Sequence, residues 1–246
     1  MKERIDKLLL ARGLAQSRHQ AQALVLTGAV LADEQRIDKP GTRVDLKSRL
    51  RLKSKDKIYV SRAGQKLEHA LHHFALEVRG MVCLDIGAST GGFTDCLLRN
   101  GAARVHAVDV GHNQLDWKLR KDGRVHCLEK LNARYLKFDH IGETVDLITL
   151  DLSFISLSLV LPVLDVFEEP TTRILCLIKP QFELGKGQVE SGGIVRDPQK
   201  HQLAIHKVSA CAKDLGYRLL GTVPSAILGA QGNQEFFLAC ISRREV

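Results

Sequence analysis

Aromatic residues make up only 5% of this 246-residue chain, with a single Trp and three Tyr. A recognition surface dominated by base stacking is therefore not expected. No run approaches the ~18 apolar residues that would suggest a membrane span. The opening Met1-Lys2-Glu3-Arg4 leads into a charged amphipathic stretch without the apolar centre of a signal peptide. The six cysteines, Cys83, Cys96, Cys127, Cys176, Cys211 and Cys240, lie far apart and form no C-x-x-C pair. Buried thiols in a reducing cytoplasm are expected, with neither a disulfide framework nor a metal site. Internal repeats and low-complexity tracts are lacking as well, and nothing points to a protein partner.

What is present is length and lopsided charge. The chain is long enough for one sizeable core and a small satellite domain. Its net charge is +8. Residues 1–57 hold 14 Lys or Arg against 7 Asp or Glu, or +7, and the remainder holds 22 against 21, or +1. A polyanion is expected to meet the basic end.

In that segment "RIDKLLLARGLA" carries a helical apolar stripe ended by Gly13, and Ser17 is placed to cap a second helix ended by Gly28. "AVLADEQRIDKPGTRV" reads as two short strands around a polar turn, and "LRLKSKDKIYV" as a further strand. This compact α+β module is too small to hold an active site of its own.

From Met81 onward strand and helix alternate. The strand candidates are "MVCLDIG", "RVHAVDVG", "RVHCLE", "DLITLDLSF", "RILCLIKPQF", "YRLLGTVPS" and "EFFLACIS". The early ones are continuous apolar runs, as strands buried on both faces should be. A mostly parallel, doubly wound sheet is predicted. The expected boundaries are residues 1–57 for the basic module, 58–65 for a linker and 66–246 for the α/β domain.

The first strand ends in Asp85 and the turn Gly87-Ala88-Ser89-Thr90-Gly91-Gly92-Phe93. A phosphate loop needs a Lys after its last glycine, and a dinucleotide loop needs glycine where Ser89 stands. The remaining common occupant of such a turn is S-adenosylmethionine, which carries no phosphate. Asp85 would face its ammonium end, Gly87, Ser89, Thr90, Gly91, Gly92 and Phe93 its backbone cradle, and Asp109 its ribose hydroxyls, from the end of the second strand.

Two lysines stand out. Lys179 follows an apolar strand, where active sites of such sheets lie, and Lys66 precedes the apolar stripe of "QKLEHALHHF". Asp151 follows the apolar stretch "DLITL", and Glu235 opens the final strand. If that strand runs antiparallel, all four groups converge at one edge. The ribose hydroxyl that the resemblance given below implies as acceptor is a very weak acid, so its methylation calls for a general base. A lysine beside a second cation can serve. That role falls to Lys179, with Lys66 as neighbour and Asp151 and Glu235 orienting the pair. No metal is expected, since a sulfonium is already an activated leaving group.

Two resemblances add to this reading. Arg4, Asp6, Leu9, Gly13, Ser17-Arg18, Ala21, Gly28 and Lys39-Pro40-Gly41 resemble the S4-like RNA-binding domain. That implies a basic RNA face supplied by Arg4, Lys7, Arg12, Arg18 and His19, with Asp33-Glu34 where the family hairpin usually carries Asn-Gly. "YVSRAGQKLEHAL", "CLDIGASTGGFTDCLL", "VHAVDVGHNQLDWKLR", "LDLSFIS", "IKPQFELGKG", "GGIVRDPQKH" and "NQEFFL" resemble the TlyA (hemolysin A-labelled) family of FtsJ-like ribose 2′-O-methyltransferases. The resemblance implies a Rossmann-like methyltransferase fold, a Lys66–Asp151–Lys179–Glu235 tetrad, S-adenosylmethionine bound by Asp85, Gly87, Gly91 and Asp109 with Asn132 near the adenine, and a cytidine ribose of ribosomal RNA or ribosomal subunits as substrate. Alternatives are a catalytically silent ribosome-assembly factor, a membrane-active hemolysin and a small-molecule methyltransferase. The loop "ELGKGQVESGGIVRD" is expected to be a lid, with Lys186 and Arg196 on phosphate, or a plain connection. Trp117 is expected in the core, and His72-His73 near solvent.

Overall fold

In the computed structural model, residues 2–15, 17–52, 59–185, 187–190 and 192–242 are described. The chain divides into two compact units, Met1–Lys57 and Ile58–Val246.

The first unit contains β1 (Lys2–Arg4), α1 (Ile5–Ala11), α2 (Arg18–Leu26), β2 (Val30–Ala32), β3 (Gln35–Ile37), β4 (Arg43–Asp45) and β5 (Leu50–Leu52). Ser17 caps α2 by accepting from the Gln20 amide at 3.1 Å. Ile5, Leu9, Ala21, Val25 and Val30 form a small closed core. Strands β3, β2 and β5 make one antiparallel sheet, and β1 pairs with β4 in another. The β2–β3 turn places Asp33 and Glu34 at φ 48 and 64. This is the left-handed geometry of a two-residue hairpin, for which Asn-Gly is the usual choice. Its acids are tied down locally: Glu34 pairs with Arg51 at 2.7 Å, and Asp33 accepts from the Arg49 amide at 2.8 Å. Strand β5 ends at Leu52, and residues 53–58 of the predicted longer strand lie outside the described residues.

The second unit runs α3 (Ala63–His73), β6 (Val82–Ile86), α4 (Gly92–Arg99), β7 (Arg104–Asp109), α5 (Trp117–Arg120), β8 (Val125–Glu129), α6 (Phe138–Ile141), β9 (Val145–Leu150), β10 (Glu168–Ile178), α7 (Pro180–Glu183), α8 (Pro198–Asp214), β11 (Arg218–Pro224) and β12 (Phe236–Ile241). One seven-stranded sheet has the order β11-β12-β10-β9-β6-β7-β8. β12 runs antiparallel to both neighbours, and the other pairings are parallel. Side-chain alternation splits the apolar strands between two cores. Leu84, Ile148, Ile174 and Cys176 pack with α8, while Cys83, Leu147, Leu175 and Leu177 pack with α3 and α4. Burial on both faces is why these strands read as unbroken apolar runs.

Residues 59–65 do not behave as a linker. Tyr59 is buried and its hydroxyl donates to Glu68 at 2.7 Å, the Val60 amide donates to Asp95 at 2.9 Å, and α3 begins at Ala63. Tyr59 packs so tightly that a Cβ at Gly64 would overlap its ring. The strand predicted through "KPQF" stops at Ile178, because Pro180 starts the single turn α7 and cannot donate to a ladder. Among the described residues no helix is long and apolar enough to cross a membrane.

Candidate functional site

The carboxyl ends of β6, β7 and β9 open into a cavity of about 910 Å³. Gly87, Ser89, Asp109, Asn132 and Asp151 line it, together with Val108, Leu131 and Phe154. Gly87 sits at φ 88, and a Cβ there would overlap the Asp151 carbonyl. Both constraints demand glycine, and they let the β6 turn lie directly against the end of β9. The next turn residues aim an amide outward: Ser89, at φ 49, donates its N–H to Asp109 Oδ2 at 2.8 Å. The other carboxylate oxygen accepts from the Gly111 amide at 2.6 Å. Asp109 is thus fixed at the cavity wall by two backbone donors. Asn132 also lines the cavity while accepting from the Arg134 amide at 3.0 Å.

Other expected cofactor residues face elsewhere. Asp85 does not line the cavity; alternation along β6 turns it towards α4, where it is fully buried. Its two oxygens accept from Thr94 Oγ1 at 2.6 Å and Thr149 Oγ1 at 3.0 Å. Burial pushes its pKa up to about 7, against the opposing pull of those hydroxyls. The folded state therefore binds this proton more tightly than the unfolded chain, and Asp85 contributes falling stability as pH rises from about 4 to about 7. Asp85→Asn should flatten that part of the melting-temperature profile; a profile parallel to wild type would contradict the assignment.

Thr90, Gly91, Gly92 and Phe93 are absent from the cavity wall. A Cβ at Gly91 would overlap Leu119, one at Gly92 would overlap Ser61, and Phe93 stacks on Phe237 with centroids 6.0 Å apart. Gly91, Gly92 and Phe93 serve close packing of α4, and Thr90 is exposed. Trp117 is 66% exposed, contrary to the expectation of a core residue, because the short α5 buries Leu119 instead. His72 and His73 are both exposed, as read.

The four charged groups meet as two ion pairs. Lys66 Nζ donates to Glu235 Oε2 at 2.5 Å, with side chains 7% and 2% exposed. Lys179 Nζ lies 2.6 Å from Asp151 Oδ1, close but not aligned as a hydrogen bond, and donates to Ser153 Oγ at 2.9 Å. Register explains the meeting. Ile178 pairs with Phe236 across β10 and β12, so Lys179 and Glu235 follow as facing positions at the edge. Cys176 pairs with Leu150, which brings Asp151 alongside. Each lysine's close partner is a carboxylate. Gly229 makes room for the arrangement: a Cβ there would overlap the Glu235 carboxylate.

Several residues at this edge escaped the sequence reading. Ser153 holds Lys179, and Phe154, 90% exposed at φ 64, packs its ring 4.9 Å from Phe182 at the cavity rim. Their signal was the quoted "LDLSFIS", in which only the acid was singled out. Glu183, buried, accepts from Ser156 Oγ at 2.5 Å and the Leu157 amide at 2.8 Å, fastening α7 to that segment. In the following loop, Arg196 pairs with Glu190 at 2.6 Å, and Asn233 grips Gly193 and Val195 through 2.8 Å bonds. Lys186 lies outside the described residues.

The FtsJ-like methyltransferase family matches residues 59–241, which is most of the chain. The chain belongs to that family. An S4 domain matches residues 3–50 of the first unit. The 16S/23S rRNA (cytidine-2′-O)-methyltransferase TlyA of Mycobacterium tuberculosis is 48% identical over 236 residues, covering 96% of this chain and 88% of that protein. Hemolysin A of Brachyspira hyodysenteriae is 40% identical, covering 95% and 97%. A solved structure of a hemolysin-named protein from Streptococcus thermophilus is 44% identical, with a TM-score of 0.77 and coverage of 99% of this chain and 90% of that one.

The cavity of the FtsJ-like unit fits the family's methyl donor. Its volume is ample for a nucleoside-sized ligand. Val108 and Leu131 offer an apolar slot, and the Asp109 carboxylate offers an acceptor whose position is already fixed. In the S4 unit, Arg4, Lys7, Arg18 and His19 reach the surface. Arg12 is exposed as well, and its guanidinium donates to the Ser48 carbonyl at 2.6 Å and to the Leu46 carbonyl.

Proposed function

We propose that this protein transfers a methyl group from S-adenosylmethionine to the 2′-hydroxyl of a cytidine in ribosomal RNA. The observation that carries the reading is that the strand register brings the Lys179–Asp151 and Lys66–Glu235 ion pairs to one edge of the sheet, where Asp151 lines the cavity. The donor, when bound, supplies an activated methyl on a positively charged sulfur. The protein's part is to hold, aim and deprotonate. Asp109 and Asn132 hold the nucleoside end. Asp151 and Ser153 fix Lys179 Nζ, which, after giving up its own proton to solvent, takes the proton from the ribose hydroxyl as the oxygen attacks. Lys66, locked by Glu235, orients the hydroxyl, and such alignment supplies much of the rate in an in-line transfer. The S4 unit, with most of the net positive charge, grips structured RNA through backbone and shape.

The test is to map ribose 2′-O-methylation in ribosomal RNA from cells with and without the gene. Purified protein is then given S-adenosylmethionine and ribosomal subunits lacking the mark. The reading requires at least one cytidine to lose and regain its methyl; an unchanged map would sink it. For the cofactor, Asp109→Ala should weaken binding by roughly 1.5–3 kcal/mol, the worth of a charged hydrogen-bond acceptor, with RNA affinity kept. Calorimetry showing unaltered affinity would remove Asp109 from the site.

A further inference from the structure

The S4 unit contains a buried carboxylate on the very face that carries its exposed arginines. Asp6, in the first turn of α1, is 0% exposed. It accepts from Arg4 twice, Nε to Oδ1 at 3.0 Å and Nη2 to Oδ2 at 2.8 Å. Arg18 Nε, from the start of α2, approaches Oδ2 at 3.4 Å, and Gln22 Nε2 at 3.3 Å. Hydrogen bonds from Arg4 outweigh the cost of burial and hold the carboxyl well below the usual range.

We propose that Asp6 is a positioning residue that gathers Arg4 and Arg18 into one docking site for a phosphodiester of structured RNA. This rests on the reading of the S4 unit as the RNA-gripping part. The side chains that Asp6 holds are themselves 37% and 57% exposed, so the carboxylate is covered while its partners face solvent. A guanidinium is a planar fork with five donors. Asp6 takes two of these from Arg4 and one from Arg18. The donors pointing away from the carboxylate, on two forks from the end of β1 and the start of α2, are thereby fixed in direction. Paired guanidinium forks suit the tetrahedral phosphate group. Without the acid, two neighbouring cations would repel each other, and two long side chains would have to be ordered each time RNA bound.

The sign of one measurement separates this from the plain alternative. Asp6→Asn removes a negative charge from an RNA-facing surface. If Asp6 were only a nearby acid, affinity for RNA would rise. As the organiser of the arginines, its loss should weaken binding about tenfold, the scale of one charge-assisted contact.

The experiment uses the full chain and a ribosomal RNA transcript, with Kd measured across a salt series. S-adenosylmethionine binding and the amide spectrum of residues 2–52 report on folding. Arg4→Ala/Arg18→Ala should weaken binding and reduce the salt slope, and adding Asp6→Asn to that variant should then cost nothing further. Arg18→Lys, which keeps the charge and loses the fork, should also weaken binding and serves if Asp6→Asn does not fold. Weakened binding with that non-additivity supports the proposal. Unchanged or tighter binding by folded Asp6→Asn overturns it while leaving the RNA-gripping role intact. So does full affinity in Arg18→Lys. If Arg4→Ala/Arg18→Ala binds RNA as well as wild type, the RNA-gripping assignment of this face falls, and the proposal with it.

Discussion

Lys179→Arg should lower single-turnover methyl transfer by about 10²–10⁴-fold, the range for losing a positioned general base. Arginine keeps the positive charge beside Asp151 and much of the reach, yet is effectively always protonated. The ion pair at 2.6 Å and the Ser153 contact at 2.9 Å can be re-formed by a guanidinium, so cofactor and RNA affinities should survive. Only the ability to accept the hydroxyl proton goes. The measurement is the rate with pre-bound RNA and saturating donor. Near-normal turnover would mean that Lys179 acts through its charge alone, and the proton would have to leave by another path.

Glu235→Ala should cost both activity and fold. Its carboxylate is the partner of a lysine whose side chain is only 7% exposed. Removing one member of a buried pair leaves an uncompensated charge, at a cost of about 3–5 kcal/mol. Denaturant unfolding should record that loss, and methyl transfer should disappear with it. Lys66→Met/Glu235→Leu distinguishes the two consequences. An apolar pair of similar volume is often neutral or better for stability, so this variant should regain most of the lost stability and remain inactive. A stable, active double variant would remove both residues from the reaction.

The sheet was legible because its strands are buried on both faces and therefore read as apolar runs, from "VCLDI" to "FFLACI". The convergence of four charges followed from one premise, the reversed direction of the last strand, which β12 meets. Other features had no local signal. β1 and β4 are three residues each and exist through their mutual pairing, Lys2 opposite Asp45. The partnership of Lys66 with Glu235 spans 169 positions. The glycine turn was read as wholly ligand-facing, but Gly91 and Gly92 are small because Leu119 and Ser61 crowd them. A glycine that spares space for a ligand and one that spares space for a neighbouring side chain look the same in sequence. Asp85 illustrates the same ambiguity, as an acid at a strand end whose side chain turns inward to two threonines.

The place of β12 in the sheet bears on how the enzyme matures. It is later in sequence than both strands it joins, and it lies between them. Until it pairs, the edge of β10 that it covers is open, a state prone to mispairing with other chains. Long-range strand closure of this kind is also slow, because distant segments must find each other first. The same insertion delivers Glu235 to Lys66. The pairing that completes the sheet is thus also the one that completes the reactive edge.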